Sequence, residues 1–272
     1  MNNIFKPALG LIQQWLDSRR SYVFVGPPAS GKTVYFVTAT DRLQRFAHEH
    51  SAQYEFTHRT PETLQFCQHA LEQMNASEWP SKTQGLQVLE FELSKSFRLS
   101  DNTPVLYKTH YELSYCDCAG EAFDEAFGDQ RVQGNGLHHE QAEHLKKEIS
   151  GAHGIFVMID TPKFHDKAST DFHMRLFNLF KHIQTSTKAK RIAVVFTKKD
   201  EFAAKDFDPK QKLKSDLPSA WNHLGRVSSE FFFVSAVKAP KINEMGRLVP
   251  PENYDTTQSE NLLEPLKWML SI

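Results

Sequence analysis

Short apolar runs alternate with longer amphipathic stretches along this chain. The runs at 22–25, 154–159, 192–196 and 231–234 are strand length and almost unbroken. Runs of that kind belong to strands covered on both faces. The segments 86–97 and 107–116 instead alternate apolar with polar residues, as strands with one wet face do. Asp101, Asn102, Thr103 and Pro104 lie between them and predict a turn joining an antiparallel pair. Helical spacing covers 4–19, 34–50, 61–74, 137–149, 171–183 and 262–270. In the fifth of these, Phe172, Leu176, Leu179, Phe180 and Ile183 share one face. Strands alternating with helices predict an α/β fold of three layers. The expected sheet is six-stranded and mostly parallel, with one antiparallel edge strand and helices on both faces.

The first 20 residues are read as an amphipathic helix packed on a single domain over 21–272. Within that domain, 51–85 is polar and long for a connection. Composition changes this picture little. Hydrophobic residues make up 40% and charged residues 24% of 272, ordinary for a globular chain. A net charge of −1 supplies no basic field to draw in nucleic acid or an anionic membrane surface. No apolar run approaches the roughly 20 residues of a membrane span. Cys67, Cys116 and Cys118 form neither a C-x-x-C nor a zinc pattern, and they read as reduced thiols of a cytoplasmic protein. Cys116 and Cys118 flank Asp117 and face one way, which suits packing.

The strongest chemical signal is Gly26-Pro27-Pro28-Ala29-Ser30-Gly31-Lys32-Thr33, which matches G-x-x-x-x-G-K-[ST]. It follows an apolar strand and opens a helix, the setting a phosphate-binding loop requires. Glycine lets the backbone N–H groups curl toward phosphate oxygens, and the helix N-terminus adds partial positive charge. Lys32 is expected on the β- and γ-phosphates and the Thr33 hydroxyl on Mg²⁺. Val34 follows as the next residue of the nucleotide site.

Further segments follow in order. Trp79-Pro80-Ser81-Lys82-Thr83 precedes the first wet strand, and Asp117-Cys118-Ala119-Gly120 ends the second. Thr197-Lys198-Lys199-Asp200 ends one buried strand and Ser235-Ala236-Val237 ends the last. This ordered set resembles the P-loop GTPases of the Ras-like, translation-factor-related class, with its D-x-x-G, [NT]-K-x-D and S-A-K elements. Val237 stands where that class has Lys. Trp-Pro-x-x-Thr and Asp-Cys-Ala-Gly-Glu resemble the bacterial double-GTPase group within it. The resemblance implies a P-loop NTPase fold and makes 51–85 a long switch I insertion. It gives Asp117 a water-mediated hold on Mg²⁺, Thr83 a direct one, and the Gly120 N–H a contact to the γ-phosphate. Asp200 would accept from guanine N1 and N2, Lys198 would lie along the base, and the Ala236 N–H would meet guanine O6. The chemistry agrees, since a carboxylate answers guanine's paired N–H groups and adenine offers no such pair.

Two departures bear on hydrolysis. Glu121 stands where many members of the class carry a water-orienting Gln. A carboxylate accepts but does not donate, and it repels a γ-phosphate nearby. Pro28 fills the loop position that is glycine in the best-known members, crowding an arginine finger supplied in trans. Arg131, His138 and His139 lie downstream and read as surface residues more readily than as catalytic ones. The leading expectation is a GTP-binding molecular switch with slow, Mg²⁺-dependent hydrolysis. Its protein partner or effector would be a second GTPase or a second copy. An ATP-using kinase or ATPase, and a non-hydrolysing module that keeps nucleotide as a structural ligand, are the competing readings.

Overall fold

Val23 and Val25 face one side of the first strand and Tyr22 and Phe24 the other, and all are buried. That double burial places the strand in the middle of a sheet, with a separate apolar layer on each side. The computed structural model describes residues 18–81, 87–98, 107–117, 120–128, 136–202, 207–225 and 227–272.

The strands are β1 (Ser18–Val25), β2 (Tyr54–His58), β3 (Gln87–Phe97), β4 (Tyr107–Asp117), β5 (Gly154–Asp160), β6 (Arg191–Thr197) and β7 (Ser228–Phe233). They form one sheet in the order β2-β3-β4-β1-β5-β6-β7. Tyr22 pairs with Leu113 of β4 on one side and Gly154 of β5 on the other, both in parallel. Only β3 runs against its neighbours, β2 and β4, within this sheet.

The sheet thus has seven strands rather than six, and its antiparallel strand is not the edge. The short β2, inside the expected switch I insertion, is paired outside it. Its sequence Tyr-Glu-Phe-Thr-His buries Tyr54, half-buries Phe56 and His58 and exposes Glu55 and Thr57, so it lacks the apolar run that marks the central strands. A second correction concerns the chain start. Ser18, Arg19 and Arg20 belong to β1, not to a helix, because β1 pairs with β4 from Thr109 onward. Arg19 is accommodated at this exposed end by an ion pair to Glu112 at 2.9 Å. The rest of the expected N-terminal helix, and the turn at Asp101 to Pro104, lie outside the described residues.

One face of the sheet carries α1 (Lys32–Glu49), α2 (Pro61–Asn75) and the closing helix α9 (Glu264–Leu270). The other carries α3 (Gly120–Phe127), α4 (Gly136–Gly151), α5 (Thr161–His165), α6 (Thr170–Ser186), α7 (Pro209–Asp216) and α8 (Pro218–Leu224). Cys67 is buried within α2 as a free thiol, and burial pushes its pKa up to about 12. A two-stranded hairpin, β8 (Lys241–Ile242) with β9 (Leu248–Val249), stands apart from the main sheet. Among the described residues, no helix is long and apolar enough to cross a membrane.

Candidate nucleotide site

The parallel strands β1, β4, β5 and β6 all end at one edge of the sheet, where ligands of open α/β sheets bind. The loop from Gly26 to Gly31 leaves β1 there. A side chain at Gly26 would put its Cβ 2.3 Å from the Met158 carbonyl oxygen, so only glycine lets the loop pass β5. Gly31, and unusually Ala29, adopt left-handed backbone, with φ of 75° and 62°. No side chain caps α1, whose first turn opens on the loop. That leaves backbone N–H groups and the helix dipole for an anion. The Lys32 ammonium donates to the Pro27 carbonyl at 3.0 Å, folding the side chain back over the loop.

A cavity of about 980 Å³ begins at this loop. Pro28, Ala29, Ser30, Gly31, Lys32, Thr33 and Val34 line one end. Gly120 and Glu121, the first residues of α3, line its side. A Cβ at Gly120 would lie 3.4 Å from the Pro28 ring, so the third loop residue and the start of α3 are neighbours. Glu121 is exposed at the mouth. Thr197, Lys198, Asp200, Ala236 and Val237 line the same cavity, Val237 packing beside Val34. Of the expected nucleotide contacts, Gly26 and Ser235 stand behind the wall rather than on it.

Thr197 ties β6 to the phosphate loop. Its buried hydroxyl lies 2.8 Å from the Ser30 carbonyl and 3.1 Å from that of Ile159, so the end of β6 braces the phosphate loop. Lys198 is left-handed, at φ 59°, and its ammonium sits 2.8 Å from Asp160. Asp160 is buried at the end of β5, where it also caps α5 by accepting from the Lys163 N–H. The Asp200 carboxylate accepts from the Ser235 hydroxyl at 2.6 Å. Burial pushes its pKa above the ordinary carboxylate range, and that hydrogen bond opposes the rise. Ser235 is itself held by backbone bonds in both directions with Glu260. The Ala236 carbonyl accepts from Tyr254 at 2.7 Å. Val237 packs with Met74 and Tyr254, which accounts for an apolar residue where the resembled class has lysine.

The donors expected for Mg²⁺ are hydroxyl and carboxylate oxygens, the hard ligands that this ion takes. The Thr33 hydroxyl is 2.8 Å from the hydroxyl of the buried Tyr115. Tyr115 can accept the threonine proton and leave a lone pair for a cation, so the site suits the ion. Asp117 ends β4 two residues beyond Tyr115, but its side chain is outside the described set. Thr83, Cys118 and Arg131 lie wholly outside the described residues. His139 faces Glu125 of α3 at 3.0 Å, a link between helices away from the cavity.

Sequence reasoning missed Asp160, Tyr115, Glu201 and Leu248 as parts of this site. The first two had a signal: Asp160 opens an Asp-Thr-Pro helix start after a buried strand, and Tyr115 shares a strand face with Asp117. Leu248 had none, since the hairpin bearing it is short and polar around it.

The family model described as Double-GTPase 2 matches residues 23–248. No curated protein matches the chain. Among solved structures, similarity extends to Methanosarcina barkeri Roco2 RocCORdC bound to GDP. It is 15% identical, with 80% of this chain and 43% of that one covered and a TM-score of 0.33. The chain therefore spans less than half the length of that protein. The G domain of the T. maritima FeoB iron transporter is 14% identical, with 93% and 98% covered and a TM-score of 0.38. The S. cerevisiae Ski7 GTPase-like domain bound to GTP is 12% identical, with 94% and 50% covered and a TM-score of 0.44.

Proposed function

The chain belongs to the Double-GTPase 2 family, and from that premise we propose that it is a GTP-binding molecular switch that hydrolyses GTP slowly and is accelerated by a protein partner. One observation carries the reading. The Asp200 carboxylate, fastened by Ser235, lines the same cavity as the phosphate loop.

In this reading the loop N–H groups and Lys32 hold the β- and γ-phosphates, and the Gly120 N–H meets the γ-phosphate. Asp200 accepts from guanine N1 and N2, the Lys198 stem lies along the base, and the Ala236 N–H reaches O6. Thr33, with Asp117 and Thr83, would hold Mg²⁺, which supplies neutralising charge to the phosphates. Hydrolysis transfers the γ-phosphoryl group to water and leaves GDP. The partner would be a second GTPase or a second copy of this chain, and the site of action the cytoplasm.

Calorimetry with GDP and ADP tests the proposal. GDP should bind far more tightly, and Asp200→Asn should erode the difference, since one charge-assisted hydrogen bond contributes about 1.5–3 kcal/mol. Lys32→Ala should lose both nucleotides with the fold intact. Equal affinities for GDP and ADP would replace this reading with the ATP-using one.

A further inference from the structure

The segment that leaves α2 reaches across the cavity to a part of the chain far away in sequence. Ser77 is left-handed at φ 61°, and the Glu78 N–H donates back to the Gln73 carbonyl at 2.9 Å. This is a tight helix-ending turn, and it directs the chain outward at Trp79. There the indole N–H donates to the main-chain carbonyl of Leu248 at 2.7 Å. Trp79 and Leu248 both line the nucleotide cavity. Just below, Met74 of α2 is buried against Val237 and Tyr254, on the loop that would read the base. The tail of α2 is thus anchored at one end of this contact, and the hairpin β8–β9 forms the other.

That hairpin has little to hold it. Its strands are two residues each, and Ile242 and Met245 are 71% and 78% exposed. A two-stranded hairpin without a buried face is marginal in water. Its turn rests on Gly246, at φ 71° with open space where a side chain would go. A hairpin of this kind moves as a unit unless something outside fastens it, and Trp79 is such a fastening.

We propose that Trp79 and Leu248 form a clasp across the nucleotide cavity, and that release of bound nucleotide waits on its opening. The inference rests on the nucleotide-binding reading above, and it adds a retention role to Trp79, which that reading gives no contact to phosphate, metal or base. Loss of one neutral hydrogen bond corresponds to roughly a three- to tenfold change in an equilibrium constant.

The test is displacement of a fluorescent GDP analogue by excess unlabelled GDP, in the full chain. Trp79→Phe keeps a ring and removes the donor, and Trp79→Ala removes both. Each should speed dissociation roughly three- to tenfold. Gly246→Ala touches no cavity residue and strains only the hairpin turn, and it should speed dissociation as well. In the double variant Trp79→Phe, Gly246→Ala the effects should not multiply, because both undo one contact. A wild-type rate in Trp79→Phe, or in Gly246→Ala, overturns the clasp. If the chain retains adenine rather than guanine nucleotide, the same rates measured with fluorescent ADP still decide the clasp while the base-reading proposal falls. A chain that retains neither nucleotide overturns both.

Discussion

Thr197 and Asp200 stand three residues apart, yet the structure gives them different work. The Thr197 hydroxyl braces the phosphate loop through the Ser30 carbonyl, and the Asp200 carboxylate faces the cavity from beside Ser235. Substitutions should separate these roles. Thr197→Val keeps the shape and removes one hydrogen bond, worth about 0.5–1.5 kcal/mol. It should weaken GDP and ADP binding alike, by up to roughly tenfold, in the same calorimetry. Asp200→Asn should instead narrow the gap between the two nucleotides. Asp200 also predicts a pH dependence. Its folded pKa is raised by burial, and only the ionised form accepts both guanine N–H groups. Guanine preference is therefore full above that raised pKa and is lost as pH falls through it. The loss should begin at a higher pH than for an ordinary aspartate, near 3.9. GDP affinity measured across mildly acidic pH should show this decline in the wild type. In Asp200→Asn it should be absent, and a parallel decline there would remove Asp200 as the titrating group.

Among elements, α3 carries the proposed contact to the γ-phosphate, so its docking matters most for that proposal. Gly120 and Glu121 open it, and Arg175 of α6 holds it by paired contacts to Asp124 of 2.6 and 2.8 Å. Asn178 donates to the Phe127 carbonyl at its far end, at 2.9 Å. The Asp124 carboxyl is pushed up by burial even beside that guanidinium, so the pair is only partly compensated. Arg175→Met should release α3 from α6 while keeping an aliphatic stem. Because Gly120 is the residue assigned to the γ-phosphate, affinity for a non-hydrolysable GTP analogue should fall more than affinity for GDP, by roughly threefold or more for one lost bond network. Equal losses would mean that α3 carries no γ-phosphate contact. Burial on one face or both also explains which elements were legible beforehand. The central strands β1, β5 and β6 are buried on both faces, so their apolar runs identify them directly. The helix α2 is announced by Thr60 as its cap, with Pro61 after it. In contrast, β2 has five residues and fully buries only Tyr54, and β8 and β9 have two residues each, too few for alternation to stand out. The phosphate loop was legible because its chemistry is local. The Trp79, Tyr115 and Asp160 contacts were not, because each depends on a partner brought close by the fold.

For the whole molecule, the proposed switch reading requires that bound GTP be kept rather than spent quickly. The phosphate end is built tightly beneath and loosely above. Below, Thr197 and Met158 fix the loop, and above, the exposed Glu121 stands at the mouth with the Pro28 ring against Gly120. A glutamine at 121 would donate to the γ-phosphate while accepting from the attacking water, and an ionised glutamate does only the second. Its negative charge would also face a γ-phosphoryl group that carries negative charge spread over three equatorial oxygens. The ring of Pro28 stands beside Gly120, where in the proposed reading it would crowd an arginine supplied by a partner. Under the proposed reading, a molecule arranged in this way would hold GTP until a partner completes the site, as a switch requires. Glu121→Gln should therefore leave single-turnover phosphate release unchanged or raise it, with nucleotide affinity close to wild type. Thr33→Ala, measured beside it, should lose the Mg²⁺ dependence of binding, so that a general collapse of the site is distinguishable from a change in chemistry. If Glu121 instead removes the proton from water, its loss costs about 10²–10⁴ in rate. A hundredfold drop in Glu121→Gln with Mg²⁺-dependent binding intact would make the protein a committed enzyme, with its own base at the start of α3 and no need of a partner.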